Sequence, residues 1–242
     1  MKQFDSFRNI KGIAHGVFDR SDVPKGEYSR EWFQVEFGKI CAKKLGFENA
    51  AFPKQKHTSD VVIATEKFEN ILPIADAVVT NKTGLMIGVQ TADCSPILFC
   101  DPMKKIIGAC HAGWKGANEK VIENTIEKMV KLGAKKQNIL VGIGAMISQS
   151  SYEIDEPVYS QVKDKKFFQN IKKGKWLFDL RGLIIEKLKQ NGIEKIEVSE
   201  RNTYTDSDCF SYREATHKFS NLPVKKRLNG KRIYTIIGIK SP

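Results

Sequence analysis

Short apolar runs bounded by turn residues dominate the middle of the chain. They cover Ala77–Thr80, Leu85–Thr91, residues 96–100 and residues 106–110. Continuous apolar runs of this length are typical of strands that are covered on both faces, although periodicity alone does not distinguish them from a buried helix. The pattern therefore predicts a set of buried strands.

Helical periodicity and further strands flank these runs. Ser29 is a candidate N-cap for a helix over residues 29–45, which stops at Gly46. Apolar residues at helical spacing predict a second helix over residues 117–133, with one face on the sheet. Asp179 is the candidate cap of a third helix that ends near residue 192. Additional strands are predicted at Ile13–Phe18 and at residues 60–64, 139–143 and 232–239.

The order of these elements indicates one α/β (α+β) domain with mixed β-sheets flanked by helices. No internal repeat and no linker-like segment divides residues 1–242. Hydrophobic residues make up 41% and charged residues 28% of the chain. These values are ordinary for a globular protein and exclude fibrous and disordered classes.

The net charge of +12 raises the question of an anionic partner. Lysines are spread along the whole chain and cluster only modestly, at residues 163–175 and 225–231. No RNA motif with interleaved aromatic residues and no basic DNA-reading helix accompanies them. We interpret the charge as a lysine-rich solvated surface and expect no nucleic-acid partner, while attraction of an anionic substrate stays open.

The chain shows neither a signal-peptide core nor a membrane span, so we expect a cytoplasmic protein without a membrane partner. Its five cysteines form no CxxC pair, and an odd number argues against a disulfide framework. We expect free thiols unless a metal binds one of them. The cysteines are Cys41, Cys94, Cys100, Cys110 and Cys209.

Only four histidines occur, which narrows the search for chemistry. His57 lies in a polar segment before a predicted strand. Cys94 and His111 each follow a buried apolar run, where a strand opens into a loop. Taken singly, each has a plain alternative: a surface histidine, an inert buried cysteine and an incidental histidine.

Two histidines and a cysteine match a catalytic zinc site, in which three protein ligands leave the fourth position open. Such a metal lowers the pKa of a bound water toward about 7. The spacing of His57, Cys94 and His111 is irregular and adds little. From the residues alone, a Cys94 nucleophile activated by His111 is an equal competitor.

Long motifs then resemble one known family. GVQTADCSPILFCDP followed by GACHAGWKG, with KQKH upstream and ADAVVTNKTGL between, resembles the multicopper polyphenol oxidase or laccase-domain family. Further matches are SYE around Tyr152, FDLRG, NTYTDSDCFSYRE and a strand that ends in Arg20. The resemblance spans nearly the whole chain.

The resemblance implies a single α/β domain, similar in fold to a toxin-type Cys-His hydrolase, with one zinc on His57, Cys94 and His111. It implies phosphorolysis of adenosine, guanosine, inosine and methylthioadenosine, together with deamination of adenosine. The expected partners are therefore a purine nucleoside and phosphate. An alternative assigned to some members is hydrolysis of a peptidoglycan precursor by a Cys-His hydrolase. The sequence predicts no oligomeric state.

The oxidase label conflicts with the histidine count. A multicopper oxidase needs a trinuclear copper cluster and a further electron-entry copper, which together use more histidines than the four present. We therefore reject laccase chemistry. Three segments depart from the family pattern and bear on substrate preference: SDVPKGEYS after Arg20, GAMISQSS before Tyr152, and the stretch after Arg213.

Three further residues are candidates for supporting roles. Asp93, beside Cys94, is a candidate acid-base or orienting group, or else a local loop cap. Arg20 and Arg213 are candidate phosphate ligands, because a guanidinium binds phosphate through a fork of donors. Each arginine has the alternative of a surface ion pair.

Overall fold

The computed structural model describes residues 1–68 and 71–241. A π-helical turn, Trp32–Glu36, precedes the second helix. The α-helices are α1 Asp5–Arg8, α2 Phe37–Lys44, α3 Trp114–Asn118, α4 Val121–Lys131, α5 Glu156–Gln161, α6 Leu180–Gln190, α7 Tyr212–Lys218 and α8 Val224–Arg227. The strands are β1 Ile13–Phe18, β2 Asn49–Ala51, β3 Val61–Ile63, β4 Ala77–Thr80, β5 Leu85–Thr91, β6 Ser95–Asp101, β7 Ile106–Ala112, β8 Leu140–Ile143, β9 Glu153–Asp155, β10 Phe168–Lys172, β11 Lys175–Phe178, β12 Lys195–Val198 and β13 Ile233–Ile239.

A six-stranded mixed sheet, in the order β12-β8-β6-β7-β4-β3, forms the middle layer. Its side chains alternate between two hydrophobic clusters. Ile107 and Ala109 belong to one cluster, while Ile106 and Cys110 belong to the other. Both faces are therefore covered, which explains why every residue of β6 and β7 is buried.

A four-stranded sheet, β1-β13-β5-β2, covers one face of the central sheet, and helices α4 and α6 cover the other. The chain passes from the four-stranded sheet to the central one between β5 and β6. Only three residues, Ala92 to Cys94, make that passage. This short connection places Cys94 at the junction of the two sheets.

The predicted buried strands are confirmed, with β6 and β7 each two residues longer than expected. The caps are confirmed as well: Ser29 Oγ accepts from the Trp32 amide at 3.1 Å, and Asp179 accepts from the Gly182 amide at 2.8 Å. The mixed α/β single-domain architecture is also as predicted.

Two helix predictions were wrong in detail. Residues 117–133 form parts of two helices, α3 and α4, because Lys120 between them has a φ of 74° and interrupts the helical path. Residues 29–45 contain the π-helical turn before α2 begins. Five short strands, β2 and β9 to β12, were not predicted. Three of them, β9 to β11, form a separate antiparallel sheet. Its edge strand β10 is mostly exposed and therefore lacks an apolar run.

Among residues 1–68 and 71–241, no helix has the length and apolar character needed to cross a membrane.

Candidate metal centre and its cavity

His57 lies in the loop that precedes β3, and its side chain is exposed. Its backbone has a φ of 59°, in the left-handed region that non-glycine residues seldom adopt. Such a conformation persists only where surrounding contacts enforce it. The local chain path therefore serves to present this imidazole.

Cys94 ends the three-residue connection between the two sheets, and its side chain is half-buried. Asp93 before it has a φ of 90°, so the backbone turns sharply there. His111 is the sixth residue of β7 and is 5% exposed. It stands opposite Pro96 in the antiparallel register, so β6 and β7 bring the imidazole close to the thiol.

These three side chains meet. Their ligand atoms all lie within 4.8 Å of one another, and Cys94 Sγ is 3.8 Å from His57 Nε2. The two imidazole rings have centroids 4.8 Å apart and stand nearly perpendicular. The expected ligands are thus brought together from a loop, an inter-sheet turn and a strand.

The electrostatics favour a thiolate at Cys94. Burial opposes the charged form, but the charge of His111 and hydrogen bonds from His111 and His57 outweigh it and lower the thiol pKa to about 6. Burial also disfavours the charged form of His111, yet the Cys94 thiolate and Asp76 raise its pKa to about 9. The centre is thus arranged as a thiolate beside an imidazolium.

Asp76 is the residue that the sequence did not reveal. Its carboxylate is fully buried, and its Oδ1 lies 2.7 Å from His111 Nδ1. The other oxygen accepts from the amides of Lys56 and Thr58 at 3.0 and 2.6 Å, one on each side of His57. One carboxylate therefore orients both histidines. An acidic residue directly before a buried strand was the only available signal.

Gly113 leaves room for the ligands. A Cβ at this position would lie 2.9 Å from Cys94 Sγ and 3.1 Å from His57 Cδ2. Any side chain here would displace a ligand, so glycine is required by the close approach.

The three residues fit a metal ion. A tetrahedral zinc with bond lengths of about 2.0 to 2.3 Å holds its ligand atoms roughly 3.5 Å apart, so small side-chain movements suffice. Asp76 on Nδ1 leaves Nε2 of His111 for the metal, as in carboxylate-histidine-metal arrangements. In the part of the chain that the structure describes, no fourth His, Cys, Asp or Glu joins this group.

The centre lies in a cavity of about 1350 Å³. Aromatic side chains of Trp114, Tyr152 and Tyr212 contribute to its lining. The volume exceeds the range of roughly 300 to 1,000 Å³ that is usual for small-molecule sites. A nucleoside and a second small substrate can be accommodated together.

Arg213 and Asp93 both line this cavity. Asp93 Oδ2 accepts from the Arg213 amide at 2.6 Å, and Oδ1 accepts from Thr203 Oγ1 at 2.6 Å. The Arg213 guanidinium donates to the Glu153 carbonyl and lies 5.7 Å from the Tyr152 ring centroid. Asp93 thus anchors the start of α7, which carries Arg213, to the turn that carries Cys94.

Arg20 is not brought to the cavity, contrary to the expected phosphate contact. Its guanidinium donates to the Cys209 carbonyl at 2.9 Å and lies 3.6 Å from a Glu214 carboxylate oxygen. It also packs 5.2 Å from the Phe210 ring centroid. These contacts hold the chain around α7, and the phosphate role of Arg20 stays a prediction.

A family model described as multi-copper polyphenol oxidoreductase laccase matches residues 35–221. The chain belongs to this laccase family. Among its relatives is purine nucleoside phosphorylase RP494 of Rickettsia prowazekii, 38% identical over 86% of this chain and 91% of that protein. Adenosine deaminase RL5, from an unknown prokaryotic organism, is 32% identical over 53% of each chain.

The laccase-family fold is also found in a solved structure, YlmD from Geobacillus stearothermophilus. The two chains superpose with a TM-score of 0.79, covering 96% of this chain and 93% of that one, at 22% identity. This likeness concerns the fold alone.

The copper in the family description meets a structural obstacle in this laccase-family member. Among the described residues its other two histidines do not belong to the metal group: the His15 ring packs against Phe7, and His217, on the cavity wall, lies 3.1 Å from the Tyr204 hydroxyl. Two histidines remain for the metal group, and a trinuclear copper cluster needs more. The number of histidines and their positions both argue against a trinuclear copper cluster.

Proposed function

We propose that this chain is a zinc-dependent purine nucleoside phosphorylase that also deaminates adenosine. Its nucleoside substrates are adenosine, inosine, guanosine and methylthioadenosine. The observation that carries the proposal is the placement of the His57–Cys94–His111 group and several cations in one cavity. The names carried by the relatives support purine nucleosides as the substrate class and adenosine as the substrate of deamination.

The two reactions make different demands. In phosphorolysis a phosphate oxygen bonds to C1′ of the ribose while the C1′–N9 bond breaks, and its electron pair leaves with the purine, which takes up a proton. In deamination water adds at C6 of adenine and ammonia leaves. The first reaction needs an anion site and the second does not.

The cavity offers groups that can bind a purine and stabilise charge that develops during the reaction. The aromatic lining offers flat faces on which a base stacks. Burial raises the pKa of Tyr152, so its phenol keeps its proton and serves as a hydrogen-bond donor. A bound zinc supplies Lewis acidity and lowers the pKa of a bound water.

The residues around the centre have distinct tasks. His57, Cys94 and His111 hold the metal, and Asp76 fixes the tautomer and orientation of His111. Asp93 acts as a positioning residue, because both of its oxygens accept hydrogen bonds that join the Cys94 turn to α7. Arg213 contributes a cation to the cavity wall beside Tyr152.

Product analysis tests this proposal. Zinc-loaded protein is incubated with adenosine or inosine, with and without phosphate, and the products are separated by chromatography. We expect free base and ribose 1-phosphate only with phosphate, inosine from adenosine in both conditions, and about one zinc per chain. Unchanged nucleosides, or several coppers per chain, would contradict the proposal.

One arrangement favours a second candidate, a cysteine hydrolase acting on an amide such as a peptidoglycan precursor. The Cys94 thiolate, His111 and Asp76 form a chain of nucleophile, imidazole and orienting carboxylate. The same order of groups serves nucleophilic catalysis in Cys-His enzymes. Here Cys94 attacks a carbonyl carbon and the amine leaves with a proton from His111.

Substitution of Cys94 and His111 by Ala separates the two candidates. A metal enzyme loses zinc and activity together in both variants, because two ligands hold zinc weakly against water. A cysteine hydrolase keeps working in chelator and is stopped by alkylation without loss of metal. Zinc retained by an inactive Cys94→Ala protein would favour the hydrolase.

A further inference from the structure

Two arginines, Arg30 and Arg232, line the cavity that contains the metal group. Strand register explains the position of Arg232. Ile233 stands opposite Thr91 in the β13–β5 pair, so Arg232 comes next to the turn that begins at Ala92. That turn carries Cys94, and the Arg232 cation interacts electrostatically with it.

A tight turn holds Arg30 against the same segment. Asn229 and Gly230 have φ values of 47° and 80°, both left-handed. A Cβ at Gly230 would lie 2.8 Å from the Arg30 carbonyl oxygen and 2.8 Å from its Cγ. Because Gly230 has no side chain, Arg30 can pack directly against it, and Gly230 lies two residues before Arg232 in the sequence. Both arginines therefore line the same wall of the cavity.

The charges of this wall are not balanced. Three carboxylates line the cavity within the described residues, and all are engaged. Glu153 and Asp155 pair with Lys175, and Asp93 accepts from Thr203 and Arg213. Neither Arg30 nor Arg232 has a carboxylate partner in residues 1–68 and 71–241.

Like charges reinforce the imbalance. Burial lowers the pKa of the Arg232 guanidinium, and the nearby charge of Arg30 lowers it further. Two cations on one partly buried wall repel each other. A doubly charged anion between them relieves that repulsion and accepts several donors from each fork.

We infer that Arg30 and Arg232 form the subsite for inorganic phosphate, the second substrate of the proposed phosphorolysis. The inference rests on the proposed function, because phosphorolysis is the reaction that uses phosphate. The anion site itself rests on two guanidinium groups without a carboxylate partner among the described residues, their shared wall and the proximity of Arg232 to the turn of Cys94. Arg232 is the deeper ligand, since it is half-buried while Arg30 is exposed.

The test measures phosphate dependence in zinc-loaded wild type, Arg30→Gln, Arg232→Gln and Arg232→Lys. We expect the KM for phosphate to rise about tenfold or more in both Gln variants, since each loses a charge-assisted contact. The Lys variant keeps the charge and should recover part of the affinity. Adenosine deamination should change far less than the KM for phosphate in every variant, because it uses no anion site.

Lys231→Gln is the matched control, because it removes the same charge from an exposed neighbour that does not line the cavity. Its phosphate KM should equal that of the wild type. Thermal melting checks that each variant folds. If Arg232→Gln does not fold, the exposed Arg30→Gln still tests the subsite. An unchanged KM in folded Arg variants overturns the subsite.

Calorimetric titration with inorganic phosphate separates this inference from the proposed function. Phosphate binding that is present in the wild type and lost in the Arg variants, without any phosphorolysis, retains the subsite and overturns the function. No phosphate binding by the wild type overturns the subsite.

Adenosine 5′-monophosphate is titrated in parallel. If the Arg variants lose affinity for the nucleotide but keep it for phosphate, the wall binds a substrate's own phosphate and the inference is wrong.

Discussion

The Asp76 carboxylate and the His111 imidazole form a buried pair, with Oδ1 and Nδ1 2.7 Å apart. Burial opposes the charge of Asp76, but the hydrogen bond from His111 and those from the Thr58 and Lys56 amides lower its pKa to about 2. Since an ionised carboxylate only accepts, Nδ1 of His111 must carry the proton. Nε2 is thereby directed to the metal.

Asp76→Asn should lower zinc affinity by about 10- to 100-fold, the range found when partners of metal-bound histidines are changed. An amide has one acceptor oxygen, so either His111 or the loop of His57 loses its hydrogen bond. Competition with a chromophoric chelator measures the effect. The control is Asp101→Asn, since Asp101 is equally buried and accepts three backbone amides away from the centre. Its zinc affinity should be unchanged, and equal losses in both variants would refute the role of Asp76.

Gly113→Ala should reduce zinc content and activity while the protein remains folded. The added Cβ would approach Cys94 Sγ to 2.9 Å, a contact that forces a ligand to move. Elemental analysis and thermal melting report the two properties separately. In Gly108→Ala the nearest neighbour is the flexible end of Met129 at 3.2 Å, and full zinc content is expected. Normal zinc binding by Gly113→Ala would show that the ligands need no such space.

Cys94 should be alkylated selectively in metal-free protein. Its pKa of about 6 makes it a thiolate at neutral pH, and the rate should fall as the pH drops through that value. Burial raises the pKa of the other four thiols, to about 12 for Cys100 and Cys209, so these stay protonated. Mass spectrometry after limited iodoacetamide treatment identifies the site. Zinc should protect Cys94, and equal labelling with and without zinc would contradict its role as a ligand.

Acid should destabilise the fold through His15. Burial lowers its pKa from 6.5 to about 4, and its Nε2 accepts from the Phe4 amide at 2.8 Å, which requires the neutral ring. The unfolded chain therefore binds the extra proton first, and stability falls as the pH drops from about 6.5 to about 4. The full loss is about 3 kcal/mol. Urea unfolding at neutral pH and at about pH 4.5 measures it. His15→Gln does not titrate, and its stability should depend less on pH in this window.

The core of the fold was readable from the sequence because both faces of the central sheet are covered. Continuous apolar runs such as Leu85–Thr91 then appear without alternation, and they do so whatever lies against them. The exposed strand Phe168–Lys172 offered no such signal, because its side chains face solvent and carry little hydrophobic pattern. The break at Lys120 was equally invisible, since it depends on one backbone angle.

The sequence by itself determined the ligand types and the likeness of the motifs around His57, Cys94 and His111 to one family. Only the tertiary structure decided that Asp76 orients the histidines, that Arg20 supports α7, and that Arg232 reaches the cavity. The physical reason is distance along the chain. Asp76 lies 35 residues from His111, and their contact exists because β4 and β7 pair in one sheet. Arg232 reaches the Cys94 turn only through the pairing of β13 with β5.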